Sequence, residues 1–134
     1  MKRLLATFCI LVLMFSLYAC CNTRVSHGQE VTLNFVYEYT GANIHVTLTE
    51  EEAAAVIEIL NGNAYDSTFL IGYPSCGFNK NIGFQIGSRI FDIACDGCNG
   101  FQDSRNYMFF DISKEDMEYI HSLFEKYGGF FPCI

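Results

Sequence analysis

Four cysteines are the residues with the most distinctive chemistry in this chain: Cys76, Cys95, Cys98 and Cys133. Oxidised in pairs, they would form two disulfides, each stabilising a small domain by roughly 2 to 4 kcal/mol. As thiols, Cys95 and Cys98 form a C-x-x-C motif, which occurs in redox centres and in zinc sites. The compartment that the chain reaches decides between these chemistries, because disulfides persist where the surroundings are oxidising.

The amino terminus indicates that compartment. The basic pair Lys2-Arg3 is followed by an uncharged apolar run, Leu4–Leu17. This order is typical of an export signal. The motif Leu17-Tyr18-Ala19-Cys20 then resembles the lipobox of bacterial lipoproteins, and the resemblance covers the first twenty residues only.

The resemblance implies that residues 1–19 are a lipoprotein signal peptide, cleaved before Cys20. The Cys20 thiol would then carry a diacylglycerol with palmitate-type chains. The mature protein would be lipid-anchored and extracytoplasmic, in the bacterial cell envelope. An ordinary secretory signal, cleaved without lipid attachment, is the alternative. Export by either route favours disulfides over free thiols.

Without the signal peptide, the chain is strongly acidic. Lys2 and Arg3 leave with it, so six basic residues face fifteen acidic ones, a net charge of −9. We therefore expect no nucleic-acid partner, since no basic stripe remains to contact phosphates. Residues 20–30 are polar and aperiodic, which predicts a lipidated N-terminus and a flexible tether. Residues 31–134 are enough for one domain.

The first block of the domain reads as a hairpin followed by a helix. Apolar residues alternate over Val31–Tyr39 and again over Ile44–Leu48, which predicts two strands. Thr49 and Glu52 form a capping box for a helix that ends at Asn61-Gly62.

The second block reads as a hairpin, a third strand and a second helix. A type II′ turn at Gly87-Ser88 predicts three facing pairs on one ladder: Ile86 with Arg89, Phe84 with Phe91, and Ile82 with Ile93. An irregular stretch, Asp96–Asn106, then leads to a strand, Tyr107–Ile112, and Ser113 caps a helix that ends at Gly128.

This order predicts an α+β fold. We expect an antiparallel sheet of about five strands in ββα-βββα order, with two helices packed on one face and disulfides as staples. The two blocks are similar enough for an ancient duplication. Independent origin of two capped helices that follow strands is an equal alternative.

The hairpin ladder also predicts the disulfide pairing. Extended past Ala94, it brings Cys76 next to Cys98, which leaves Cys95 to pair with Cys133. Pairing of Cys76 with Cys95 is the alternative, because both lie at the open end of the hairpin.

The remaining polar residues predict no catalytic, metal or cofactor site. The three histidines do not converge in the sequence pattern, and no nucleophile motif surrounds Ser75. The carboxylates of Asp92, Asp96 and Asp103 lack EF-hand spacing, so we expect them to be solvated loop groups.

Three residues outside the predicted regular elements suggest a contact surface: Phe101, Arg105 and Tyr73. Aromatic and arginine side chains dominate the energetics of many protein interfaces. Packing of Phe101 beneath its loop is the alternative.

The sequence thus predicts a cell-envelope lipoprotein whose domain binds another protein or an envelope component without catalysing a reaction. One alternative is a thiol-disulfide redox protein that uses Cys95 and Cys98. Another is an inhibitor or immunity-type partner of a secreted enzyme, which an acidic surface would suit.

Overall fold

The computed structural model describes residues 24–63, 77–105 and 108–133. Within them six strands form one antiparallel sheet in the order β2-β1-β3-β4-β5-β6. The elements, in chain order, are β1 Val31–Tyr37, β2 Ala42–Thr47, α1 Glu50–Asn63, β3 Phe78–Ile86, β4 Arg89–Ala94, β5 Gly100–Asp103, β6 Met108–Asp111 and α2 Lys114–Lys126. The α+β class and the antiparallel sheet are confirmed, with six strands rather than five.

The sixth strand is β5, in the stretch that was expected to be irregular. Phe101 faces Ile93 on β4 and Phe110 on β6, so β5 is paired on both sides. It is only four residues long, and Gly100 lies under the ring of Phe109, where a Cβ would collide with that ring. Pairing with the strands that precede and follow it, rather than its own propensity, holds this segment extended.

The hairpin of β3 and β4 turns at the predicted residues, Gly87 and Ser88. Gly87 has a φ of 58°, and Phe84 faces Phe91 in the expected register. The ladder then shifts between Phe78 and Gly83, so that Phe78 faces Ala94, where the regular ladder placed Asn81. The predicted register is therefore wrong by three residues for the part of β3 that precedes Gly83.

Glycine at position 83 explains where the shift begins. A Cβ there would overlap the carbonyl group of Phe91, so the two strands approach more closely than any other residue allows. Irregular pairing of this kind bends a strand and increases its twist.

Both helices begin at the predicted caps. The Glu52 amide donates to Thr49 Oγ1 at 3.3 Å, and the Thr49 amide donates back to Glu52 Oε2 at 3.0 Å. At α2, the Asp116 amide donates to Ser113 Oγ at 3.0 Å. Neither of the two described helices is long and apolar enough to cross a membrane.

Phenylalanine rings form the centre of the core. Phe124 of α2 packs against Phe35 and Phe84 of the sheet, with ring centroids 6.1 Å and 5.2 Å apart. The C-terminal Phe130 and Phe131 also pack against Phe35, at 5.1 Å and 6.2 Å. Helix α1 contributes four buried apolar side chains to this core: Ala53, Val56, Ile57 and Leu60.

Candidate binding surface and cysteine cluster

Cys95 and Cys133 meet at the end of β4. Both are buried thiols whose side chains are hydrogen-bonded to each other. Their backbones are joined as well, since the Cys133 amide donates to the Cys95 carbonyl at 3.0 Å. The structure thus brings together two cysteines that the sequence paired only by elimination, but it contains them as two thiols and not as the predicted disulfide.

The contact between the two thiols makes them chemically unequal. The hydrogen bond from Cys133 lowers the pKa of the Cys95 thiol. That same bond, together with burial, raises the pKa of the Cys133 thiol. Both changes in pKa have the same main cause, the direct contact between the two sulfurs.

Cys98 lies in the loop after β4, half-buried, and it is not a free thiol. No disulfide joins two of the three cysteines that the structure describes. The predicted partner, Cys76, lies outside the described residues, as does Cys20, so the Cys76–Cys98 pairing and the lipidation of Cys20 stay predictions.

Asp96 organises that loop. Its Oδ2 accepts from the Gly77 amide at 2.7 Å and its Oδ1 accepts from the Cys98 amide at 2.9 Å. Bonds from Cys98 and Gly77 lower the pKa of the Asp96 carboxyl. Asp96, inside the C-x-x-C motif, thus has a structural role. Its two hydrogen bonds connect Gly77, just before β3, to the loop after β4.

The other two carboxylates are internal rather than solvated. Asp103 is completely buried and accepts from Arg89 Nη2 at 2.7 Å. Asp92 is buried beside Ser104, whose hydroxyl donates at 2.6 Å, and burial raises the pKa of the Asp92 carboxyl. The expectation of solvated loop groups was wrong for these two residues, and the described residues contain no cluster of three metal-ligating side chains.

The third internal carboxylate, Glu52, joins the two helices. It accepts from Lys126 Nζ at 2.6 Å and from the Tyr127 hydroxyl at 2.9 Å. The bond from Lys126, reinforced by bonds from Thr49 and Tyr127, lowers the pKa of Glu52 to about 2. This carboxylate is fully ionised at neutral pH and fixes the start of α1 to the end of α2.

His121 lies half-buried on α2. Its ring stacks on Phe131 with centroids 4.1 Å apart, and burial lowers the pKa of the imidazole. No nucleophile or carboxylate among the described residues hydrogen-bonds to its Nε2. Its stacking on the C-terminal segment is a packing role.

Two of the three predicted contact residues lie in the described part of the chain, and only one of these two is on the surface. Phe101 is completely buried and packs against Phe84, so packing beneath the loop, the alternative, describes its position. Arg105 is on the surface, with 55% of its side chain exposed. Tyr73 lies outside the described residues.

A different surface was missed in the sequence. On strands β1, β2 and β3, the side chains that alternate with the core residues form a neutral patch. We call this the polar face: Thr32, Asn34, Asn43, His45, Thr47 and Gln85. All six are exposed or half-exposed, and no described helix covers them. Their alternation with core residues was the available signal, but the sequence alone could not show that three strands bring them together.

Two features give the polar face definite geometry. His45 Nδ1 lies 2.6 Å from Asn34 Oδ1, so neighbouring strands are linked across the face by side chains. At one end a depression of about 400 Å³ is lined by Thr32 and Gln85 with Gln29, Glu30 and Gly87. Hydroxyl, amide and imidazole groups supply both donors and acceptors here.

Comparisons with protein-family models, with curated proteins and with solved structures each gave no match.

Proposed function

We propose that this protein is a lipoprotein of the bacterial cell envelope whose domain binds another protein or an envelope component through the polar face, without catalysing a reaction. The observation that carries the binding role is the neutral character of this patch. Six hydrogen-bonding side chains without a carboxylate share it, on a chain whose predicted mature form has a net charge of −9. A surface of this kind binds by matched hydrogen bonds.

The envelope location rests on the signal that ends at Cys20. Lipid attachment would raise the concentration of the polar face at the membrane, which suits a binding protein more than it suits a diffusing enzyme. The proposal includes disulfides between Cys76 and Cys98 and between Cys95 and Cys133. Adjacency of the Cys95 and Cys133 thiols and the engagement of Cys98 support this pairing.

Thiol exchange by Cys95 and Cys98 is a weaker candidate. Such a pair needs its two sulfurs to react with each other, whereas Cys95 is hydrogen-bonded to Cys133. Cys95 is also buried, so a partner disulfide would have no direct access to it.

A site-specific crosslinking experiment tests the binding role. The full chain carries a photoreactive amino acid in place of Gln85 on the polar face, or in place of Glu118 on the exposed surface of α2 as the control. We expect one crosslinked product from envelope fractions with the Gln85 probe and none with the Glu118 probe. Excess unlabelled protein should abolish the product, and excess Asn34→Ala/His45→Ala protein should not. Equal products from both probes, or equal competition by both proteins, would contradict the proposal.

A further inference from the structure

The segment before β1 packs against the domain at residues 24 and 25. Val25 is buried, with 5% exposure, and its amide donates to Asn61 Oδ1 at 2.8 Å while its carbonyl accepts from Asn61 Nδ2 at 2.9 Å. The Arg24 carbonyl accepts from Arg89 Nη1 at 3.0 Å. A buried side chain and three hydrogen bonds therefore hold residues 24 and 25 against the fold.

The group that holds Arg24 is itself rigid. The Arg89 guanidinium is paired with the buried Asp103 at 2.7 Å and lies 4.6 Å from the centre of the Phe91 ring. An ion pair and an aromatic ring thus fix the position of this side chain. The attachment point is thus part of the core of the domain.

Only four peptide links separate Cys20 from Arg24. Fully extended, four residues span about 14 Å. The polar headgroups form a layer of roughly 5 to 8 Å on each side of the hydrocarbon. The extended segment is therefore only slightly longer than the thickness of this layer plus the length of one side chain. If Cys20 carries lipid, Arg24 cannot leave the neighbourhood of the membrane surface.

The charges at this end suit phospholipid. Every arginine beyond the signal peptide is here: Arg24, Arg89 and Arg105. Arg89 and Arg105 lie 2.7 Å and 3.9 Å from the same Asp103 oxygen, and 55% of the Arg105 side chain is exposed. Glu30 is an acidic residue close by, since it lines a depression together with Gly87 of the β3–β4 turn, whereas Glu50 lines another depression beside Thr47. Guanidinium groups bind phosphate by paired hydrogen bonds.

We propose that the arginine end of the domain, defined by Arg24, Ser88 in the β3–β4 turn and Arg105, lies on the phospholipid headgroups and holds the lipid-anchored domain in one orientation. This inference rests on the proposed lipidation of Cys20. Its consequence is that the β1–β2 turn, at the other end of β1, points away from the membrane.

Tryptophan fluorescence measures this orientation, because the chain contains no tryptophan. Ser88→Trp places a probe at the arginine end, and Tyr39→Trp places the control in the β1–β2 turn, where Tyr39 is 89% exposed. The acylated full chain is inserted into vesicles of phosphatidylglycerol and phosphatidylethanolamine that contain a headgroup spin label. We expect the Ser88→Trp emission to be quenched at least about twofold more than the Tyr39→Trp emission. Equal quenching, or stronger quenching of Tyr39→Trp, would overturn the orientation.

Two further variants test its causes without altering the core. A twelve-residue Gly/Ser insertion after Asn22 should reduce the quenching difference, since the longer linker releases the domain from the surface. Arg105→Gln should lower the Ser88→Trp quenching by about half, and Lys114→Gln at the start of α2 should leave it unchanged. No effect of either the insertion or Arg105→Gln would also overturn the proposal.

The intact mass of each preparation distinguishes a failure of the proposed lipidation from a failure of the proposed orientation. A chain without an acyl group would contradict the proposed lipidation and the orientation together. An acylated chain with equal quenching at both probes would contradict the orientation alone.

Discussion

Asn61 holds the backbone of Val25 by two hydrogen bonds, although the residues are 36 positions apart in sequence. One side-chain amide thus satisfies both the amide and the carbonyl of a residue that precedes the first strand. The last turn of α1 thereby fixes the path by which the chain enters the domain.

Replacement of Asn61 by alanine should loosen this entry. Both backbone groups of the buried Val25 lose their partners, so we expect the free energy of unfolding to fall by about 1 to 3 kcal/mol. Urea denaturation measures this change, and hydrogen exchange at the Val25 amide should rise. Asn43→Ala, on the exposed part of β2, is the control and should change stability by less than about 0.5 kcal/mol. Equal effects of the two variants would contradict the role of Asn61.

Glu52 should make stability depend on pH. Its pKa is lowered to about 2 in the fold, mainly by Lys126, so the stability that it contributes is fully present above pH 5 and is lost as the pH falls towards 2. Glu52→Gln should lower the free energy of unfolding at pH 7 by about 1 to 2 kcal/mol, and it should flatten the loss between pH 5 and 2. Unfolding curves across this range, with the exposed neighbour Glu51→Gln as control, test the prediction. A Glu52→Gln curve as steep as that of the unaltered chain would contradict it.

The Gly83 position should not accept a side chain. Because a Cβ would overlap the Phe91 carbonyl, Gly83→Ala should lower the free energy of unfolding by about 1 to 3 kcal/mol. Gly62→Ala is the matched control, since Gly62 lies in α1 with open space around it, and should stabilise the protein by up to about 1 kcal/mol. Thermal unfolding of the two variants should therefore shift in opposite directions. Shifts in the same direction would count against the close approach of the strands.

The parts of the fold that were predicted from sequence are those that depend on neighbouring residues. The turn at Gly87 and the capping box of Thr49 and Glu52 need only local geometry, and both are present. Strand β5 and the shift at Gly83 depend on contacts between strands, such as Phe84 with Phe101, and the residue pattern within one strand does not show these contacts.

The candidate sites also depend on contacts that the sequence pattern does not show. Cys133 lies 38 positions after Cys95, so only elimination could pair them, and the structure supplies the contact. Phe101 looked like a loop aromatic because its strand is short and its flanks are polar. The polar face required the register of β1 with both β2 and β3, which sequence periodicity alone does not fix.

The cysteine pair offers a test that needs no ligand. We expect peptide mapping of the exported protein, without reductant, to find Cys133 linked to Cys95. Cys133→Ala should then lower the free energy of unfolding by about 2 to 4 kcal/mol under oxidising conditions, and by less under reducing conditions. Cys21→Ser serves as the control and should leave both values unchanged. A peptide that links Cys95 to Cys98 instead would favour the thiol-exchange alternative.

The central claim is that Cys20 begins the mature protein and carries lipid. Intact mass spectrometry of the chain extracted from bacterial membranes tests it most directly. The account predicts a chain that starts at Cys20 and is heavier by a diacylglycerol, and a Cys20→Ser variant that is not acylated. A chain that keeps residues 1–19, or a mature chain without any acyl group, would contradict it.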